Sequence, residues 1–186
     1  FLLIALSTTV YGQSSEKYNS IYAGFYRGEE LYQKQQYGSA RREFREFINT
    51  IQQPNDPMQI KALYYEGMSA LELFNNDAVD LLKRFIMNYP ESIYKHMVHF
   101  RLGNYYYRAK DYKEALAYFN KFSAIDLEQE YRQEYFFKTG YANFQEGNNE
   151  LARTAFSEVK DGDSQYANPA LYYFSHISYE DKSYQT

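Results

Sequence analysis

The feature that most constrains this chain is an alanine followed four residues later by a large apolar side chain, written four times. The pairs are Ala40 with Phe44, Ala78 with Leu82, Ala115 with Phe119 and Ala152 with Phe156, at intervals of 38, 37 and 37 residues. A spacing of four puts both members on one face of an α-helix, so each pair marks an amphipathic helix with a single packing stripe. A small residue recurs in the preceding helix, at Gly28, Gly103, Gly140 and Ser175, and turn segments of matching length follow at Gln36-Tyr37, Asp111-Tyr112, Asn148-Asn149 and Lys182-Ser183-Tyr184. The second unit departs from the pattern, because Gly67 sits one residue late relative to Ala78. Either its Asn75-Asn76-Asp77 turn is tighter or its first helix is rotated by one position. Two short helices, each half apolar, cannot complete a core alone, but a run of such pairs can.

The stretch from His99 to Phe122 carries the pattern most fully. His99, Leu102, Gly103 and Tyr106 share one stripe, Asp111 breaks the period, and Ala115, Leu116, Phe119 and Phe122 share the next. The series His99-x-x-Leu102-Gly103-x-x-Tyr106 followed by Ala115-x-x-x-Phe119 resembles the tetratricopeptide signature, with His99 in the slot where that family has Trp. Gly103 and Ala115 are expected to lack bulk where two helices cross, with Tyr106 and Phe119 filling the space beside the crossing. The resemblance implies an all-α fold, a right-handed α-solenoid of helix-turn-helix repeats over residues 21–186. The repeats fall at about 21–57, 58–93, 94–130 and 131–166, with an incomplete fifth at 167–186.

The boundaries rest on breakers and caps. The run from Gln52 to Pro57 holds two prolines and reads as a connector, Pro90 closes the second repeat, and Glu91-Ser92 can cap the next helix. Asp161 to Ser164 is a loop signal. In the fifth unit Leu171, Phe174 and Ser175 repeat the packing stripe and Tyr184 the turn tyrosine. A lone first helix exposing such a stripe is an unusual terminus for a repeat array, so the chain is expected to be the N-terminal part of a longer protein; a natural terminal helix that caps the array is the rival reading.

Composition narrows the function. Tyr 23 and Phe 14 without Trp make the chain strongly aromatic, yet 24% of residues are charged, which describes a soluble folded protein. A formal net charge of -4 argues against a general nucleic-acid binder, which needs a basic surface to displace counterions. The absence of cysteine excludes disulfides, thiol nucleophiles and cysteine zinc sites. The apolar run Phe1 to Leu6, with Val10 and Gly12 ahead of a cut after Gly12, reads as the end of a secretory signal at 1–12, the chain starting partway into it, and residues 13–20 form a polar lead-in. The run is shorter than the ~20 apolar residues that span a bilayer. No lipobox cysteine follows, which points to an exported or periplasmic soluble protein rather than a lipoprotein. An ordinary apolar N-terminal helix is the alternative.

Candidate site residues come from aligning the first helices of successive repeats. One column reads Tyr26, Tyr64, Arg101, Lys138, Tyr173; the next Glu29, Gly67, Asn104, Tyr141, His176; a third Gln33, Leu71, Arg108, Gln145, Glu180. In proteins of the resembled family this face lines a concave groove that holds an extended peptide. The groove is expected to have a basic centre of Arg101, Arg108 and Lys138 flanked by tyrosines, suited to a peptide bearing carboxylates and apolar side chains. Against this stands plain packing of the tyrosines between helices and plain solvation of the cations. His96 and His99 are three apart but have no third ligand at suitable spacing, so neither metal nor cofactor is expected. His176 has no serine or carboxylate partner that the sequence can name, which argues against acid-base catalysis. Arg41, Arg42 and Arg45, interleaved with Glu43 and Glu46, read as a solvated outer face with short-range pairs, an anionic partner or a membrane surface being the alternative.

A finer resemblance lies in Arg84 to Ser92 leading into Tyr94 and the Leu102-Gly103 helix. It is similar to the repeats of periplasmic envelope proteins, namely the repeat lipoprotein of the outer-membrane barrel-assembly machinery and the repeat domain of the Tol-Pal coordinator. That implies a non-catalytic adaptor in a Gram-negative envelope, binding a protein or peptide in assembly or secretion. The alternative is the sensory arm of a longer signalling protein such as a histidine kinase. An enzyme formed by these residues alone has little support, since no nucleophile, base and orienting group converge.

Overall fold

The computed structural model describes residues 20–51, 53 and 55–183. The signal remnant at 1–12, residues 13–19 of the lead-in, Gln52 and Pro54 of the first connector, and Tyr184 to Thr186 lie outside the described residues. Backbone contacts divide the chain into two compact units, Phe1–Ser92 and Ile93–Thr186. Among the described residues the secondary structure is helical throughout, which places the chain in the all-α class of helix-turn-helix repeats expected for an α-solenoid.

The first unit holds α1 (Ala23–Gln33), α2 (Tyr37–Thr50), α3 (Pro57–Glu72) and α4 (Ala78–Asn88). Second helices of repeats bury a narrow stripe: Ala40, Phe44 and Phe47 on α2, and Ala78, Leu82 and Phe85 on α4. The spacing is i, i+4, i+7, one face of a helix. α3 lies between neighbours and buries far more of its girth, from Ala62 and Tyr64 through Leu71. Its start is well defined, since the Asp56 carboxylate accepts from the N–H groups of Met58 (2.7 Å) and Gln59 (3.1 Å). Pro57 occupies the first helical turn, where a missing N–H costs nothing. This corrects the sequence reading, which left Pro57 in the connector. The core gathers on Phe25, Ala40, Phe44, Phe47 and Ala62, with Tyr65 stacked on Phe44 at 5.4 Å.

The second unit holds α5 (Lys95–Arg108), α6 (Tyr112–Phe119), a 3-10 turn (Ala124–Asp126), α7 (Gln129–Gln145), α8 (Asn149–Ser157) and α9 (Ala167–Ser183). α5 starts behind Tyr94 with no side-chain cap, so Ser92 does not cap it as expected. Asp111 caps α6, accepting from the Glu114 N–H at 3.1 Å. α6 stops at Phe119 rather than running to Phe122, whose ring lies beyond the helix against Tyr135 at 5.2 Å. Two cores result, one on Phe100, Ala115, Phe119 and Leu127 and one on Ala152, Phe156, Val159, Ala170 and Ile177. Each fully buried Phe in them contributes about 1.5–3 kcal/mol through the apolar area it removes from water.

One device closes every complete repeat. A Cβ added at Gly28 would lie 2.8 Å from the Phe44 ring, at Gly67 2.7 Å from Leu82, at Gly103 2.4 Å from Phe119 and at Gly140 2.9 Å from Phe156. The large residue of each alanine pair is thus a knob seated in the hollow of the preceding glycine, rather than a filler beside the crossing.

The turns between paired helices are equally regular. Gln35, Phe74, Lys110 and Gly147 all take positive φ, at 59°, 55°, 60° and 78°. The next N–H then reaches back five residues: Gln36 to the Leu31 carbonyl, Asn75 to Ala70, Asp111 to Tyr106, Asn148 to Asn143. This is a left-handed helix cap that satisfies carbonyls the helix end leaves open. The second helix follows at once in three repeats, where the N–H groups of Ala40, Ala115 and Ala152 donate four residues back, to Gln36, Asp111 and Asn148. Ala78 instead donates three residues back, to Asn75. The irregularity of the second repeat is therefore a tighter turn, and its first helix keeps the common register.

Candidate partner-binding face

In the first unit the two expected groove tyrosines are drawn into packing. Tyr64 is only 9% exposed and spends its ring on Tyr65 (5.1 Å) and Phe85 (6.0 Å). It is a core residue, which corrects its assignment to the groove. Its column neighbours Gly67 and Leu71 are buried too, because α3 has helices on several sides. Tyr26 is half-buried and packs against the first core cluster, edge-on to Phe25 at 5.6 Å.

The remaining candidates all fall in the second unit, on α5, α7 and α9. Asn104 is 6% exposed; its Nδ2 donates to Glu134 Oε1 at 3.0 Å and its Oδ1 accepts from Lys138 Nζ at 3.1 Å. Lys138 also pairs with Glu134 one turn away on α7, and its ammonium stands 5.4 Å from the Tyr107 ring centre. Arg101, one turn before Asn104, lays its guanidinium 5.4 Å from the Tyr131 ring. Arg108 is exposed at the last turn of α5. Of the expected basic centre, Lys138 is thus held in an ion pair with Glu134 and joined to Asn104. An i, i+4 pair with the acid N-terminal to the base is a favourable helical pairing, so the Glu134–Lys138 spacing was a usable signal that the sequence reading passed over.

An aromatic cluster adjoins the network. Tyr141 meets Tyr107 at 5.8 Å, Tyr112 at 5.8 Å and Tyr173 at 5.3 Å, each near a right angle. Burial, and after it the neighbouring phenols, raise the Tyr107 pKa well above the ordinary value. Burial likewise raises Tyr173, and Tyr112, with hydrogen bonding to Tyr141 adding to both. These phenols stay protonated around neutral pH and offer hydroxyls and ring faces without charge. Tyr107 and Tyr112 were not among the sequence candidates, although the turn position of Tyr112 was noted. Beyond Tyr173, His176 is exposed, lies parallel to Tyr172 with centroids 6.3 Å apart, and faces Glu180 at 3.5 Å.

His99 is half-buried against Tyr118 at 6.0 Å, and its Nδ1 is buried with no hydrogen-bond partner. Burial, then Lys121, His96 and Lys95, lower its pKa. His96 Nδ1 lies 3.8 Å from Asp126. Among the described residues no three His, Cys, Asp or Glu side chains gather closely enough to hold a metal ion. The charges of α2 form the short-range pairs that their interleaving suggests, and Arg41 and Arg45 reach into the second repeat. Arg41 binds Asn75 and Asp77 in the tight turn of the second repeat, and Arg45 donates to the buried Glu66 at 3.1 Å. Glu43 pairs with Arg27 of α1 at 3.0 Å. No helix among the described residues is long and apolar enough to cross a membrane.

Two stretches match the tetratricopeptide repeat family, residues 61–92 in the first unit and residues 96–127 in the second. No curated protein matches the chain. The matched segments hold α3 with α4 and α5 with α6, each with its glycine hollow and its left-handed turn.

Proposed function

Since the chain carries tetratricopeptide repeats, which typically serve protein–protein interaction, we propose that it is a non-catalytic scaffold whose second unit holds a segment of a partner protein. The Asn104–Glu134–Lys138 network beside the tyrosine cluster carries this reading. Its polar groups are held by one another and its rings are locked edge to face, so a partner meets a surface whose side chains need little further ordering. Arg108 and His176, both exposed, bound the face on either side. Carboxylates of the partner meet Arg101 and Arg108, and its apolar side chains meet the ring faces of Tyr141 and Tyr173. The resemblance of the Arg84 to Ser92 segment to envelope repeat proteins supports export and a role in envelope assembly or secretion.

Capture from a bacterial envelope extract tests the reading. The wild-type chain is expected to retain a specific protein that Arg108→Glu loses, with helical content unchanged. Lys138→Met, which leaves Glu134 and Asn104 without their cation, should weaken the same capture. Equal capture by wild type and both variants would overturn the assignment of this face. Lys138→Glu is the wrong probe, because it sets two carboxylates against each other and damages the fold as well as the site.

A further inference from the structure

Beside the Asn104–Glu134–Lys138 network stand three tyrosines from three successive helices. Tyr107 lies in the last turn of α5, Tyr112 opens α6 and Tyr141 sits on α7. Their ring centroids are 5.8 Å apart in every pairing, at interplanar angles of 71°, 67° and 73°. Rings so disposed meet in steep notches lined by apolar faces rather than in a flat stack. All three are half-buried, so each notch keeps part of its wall in water. In chain order α6 and α7 are flanked on both sides by helices of the same unit, which places the notches inside the array.

Hydrogen-bonding groups around the notches are unevenly divided. The Tyr141 phenol is bonded to those of Tyr112 and Tyr173. Three phenols own three O–H groups and spend two on these bonds, which leaves one to point outward. Lys138 Nζ donates to Asn104 Oδ1 and Glu134 Oε1 and has a third N–H to offer. The acceptors are in the opposite condition, since the Glu134 carboxylate is engaged by Lys138 and Asn104, and the Asn104 carbonyl by Lys138.

Resting on the reading that this unit holds a partner's segment, we propose that the segment is proline-rich and docks as a polyproline II strand, with pyrrolidine rings in the tyrosine notches and carbonyls on the phenol and ammonium hydrogens. Proline has no N–H to satisfy, and a polyproline II strand makes no internal hydrogen bonds, so its carbonyls are all open to a donor. A strand rich in acceptors and poor in donors matches a face with donors to spare and its carboxylate engaged. An ordinary extended peptide brings N–H groups that are costly to bury without acceptors. Pyrrolidine rings fit between aromatic walls, and a strand already in its bound conformation loses little entropy on docking. The 186 residues hold 4 Pro, no two of them adjacent, so none of these residues supplies the strand.

The probe is a fluorescent decaproline peptide, titrated against the full chain and followed by anisotropy. Saturable binding is expected, with a glycine–serine peptide of the same length at least roughly tenfold weaker. Tyr112→Leu, which removes one wall of two notches, should weaken decaproline roughly tenfold or more, with helical content and melting point as the check on folding. A second measurement uses the unaltered chain with labelled tyrosine rings. Decaproline should shift the resonances of Tyr112 and Tyr141 and leave those of Tyr22 and Tyr26 in the first unit in place. Equal affinity for the glycine–serine peptide, or shifts confined to the first unit, would overturn the proposal. Failure of decaproline to bind while capture from the envelope extract still depends on Arg108 would overturn it too, and would leave the partner-binding reading of this face standing.

Discussion

At Gly103 two opposing effects set the outcome of a single methyl group. Alanine in a helix interior is favoured over glycine by about 1 kcal/mol, but here the new Cβ would lie 2.4 Å from the Phe119 ring. Overpacking a tight core costs about 1–3 kcal/mol, so Gly103→Ala should lower stability on balance. Gly38 makes the contrast, since a Cβ there meets nothing within 4 Å. Gly38→Ala should raise stability by about 0.5–1 kcal/mol. Urea midpoints of the two variants should therefore move in opposite directions. His99 adds a pH dependence. Its pKa is lowered in the fold, below the ordinary 6.5, so on acidification the unfolded chain takes the proton first. Stability is fully present above about pH 6.5 and is lost as pH falls from there through the lowered value. His99→Leu should flatten that decline, and a wild-type urea midpoint independent of pH between neutrality and mild acid would refute it.

The pairing of helices was legible in the sequence because an Ala-x-x-x-Phe stripe has only one helical reading, and the 37-residue interval fixed where each pair recurs. The turn chemistry was not legible. Gln35, Phe74 and Lys110 occupy a left-handed position that sequence reasoning reserves for glycine, and only Gly147 announces it. A non-glycine residue there costs about 1 kcal/mol or more. Lys110→Gly should accordingly stabilise the second unit by roughly 0.5–1 kcal/mol, and Gly147→Ala should destabilise it by about 1 kcal/mol. The tight turn of the second repeat has its own support in Arg41, which grips both Asn75 and Asp77. Arg41 is largely covered, its side chain 14% exposed, so these charged contacts are screened less than surface pairs. Arg41→Met should cost about 1–3 kcal/mol, while Arg42→Met, on an exposed position of the same helix, should leave the urea midpoint in place.

At the scale of the molecule the candidate groove residues come from aligned columns, a one-dimensional register that does not show which sides of a helix are covered. On α3 the column ran into the core, since Tyr64 and Leu71 are surrounded by neighbours that a one-dimensional register does not show. On α5 and α7 the columns brought Asn104 and Lys138 together, but Glu134 lies outside every column and neutralises Lys138. The tyrosines follow the same logic, because their count is plain from the sequence and their burial is not. Tyr107 and Tyr135 are both raised above the ordinary phenol value of 10.0, burial being the largest cause in each. A raised folded value means that the unfolded chain releases its phenol protons first. The stability these groups contribute is complete below pH 10 and is lost as pH rises through their folded values. With 23 Tyr and no Trp, phenolate absorbance in the near ultraviolet reports on tyrosine without interference. An alkaline titration should show one set of tyrosines ionising gradually while helical circular dichroism is intact. A second set should then ionise in a cooperative step that coincides with loss of helix. Tyr107→Phe, which removes one reluctant phenol, should move that step to higher pH. Smooth ionisation of every tyrosine with the helical signal preserved would show that the aromatic cluster of the second unit is open to solvent, and the preorganised face built on it would fall with it.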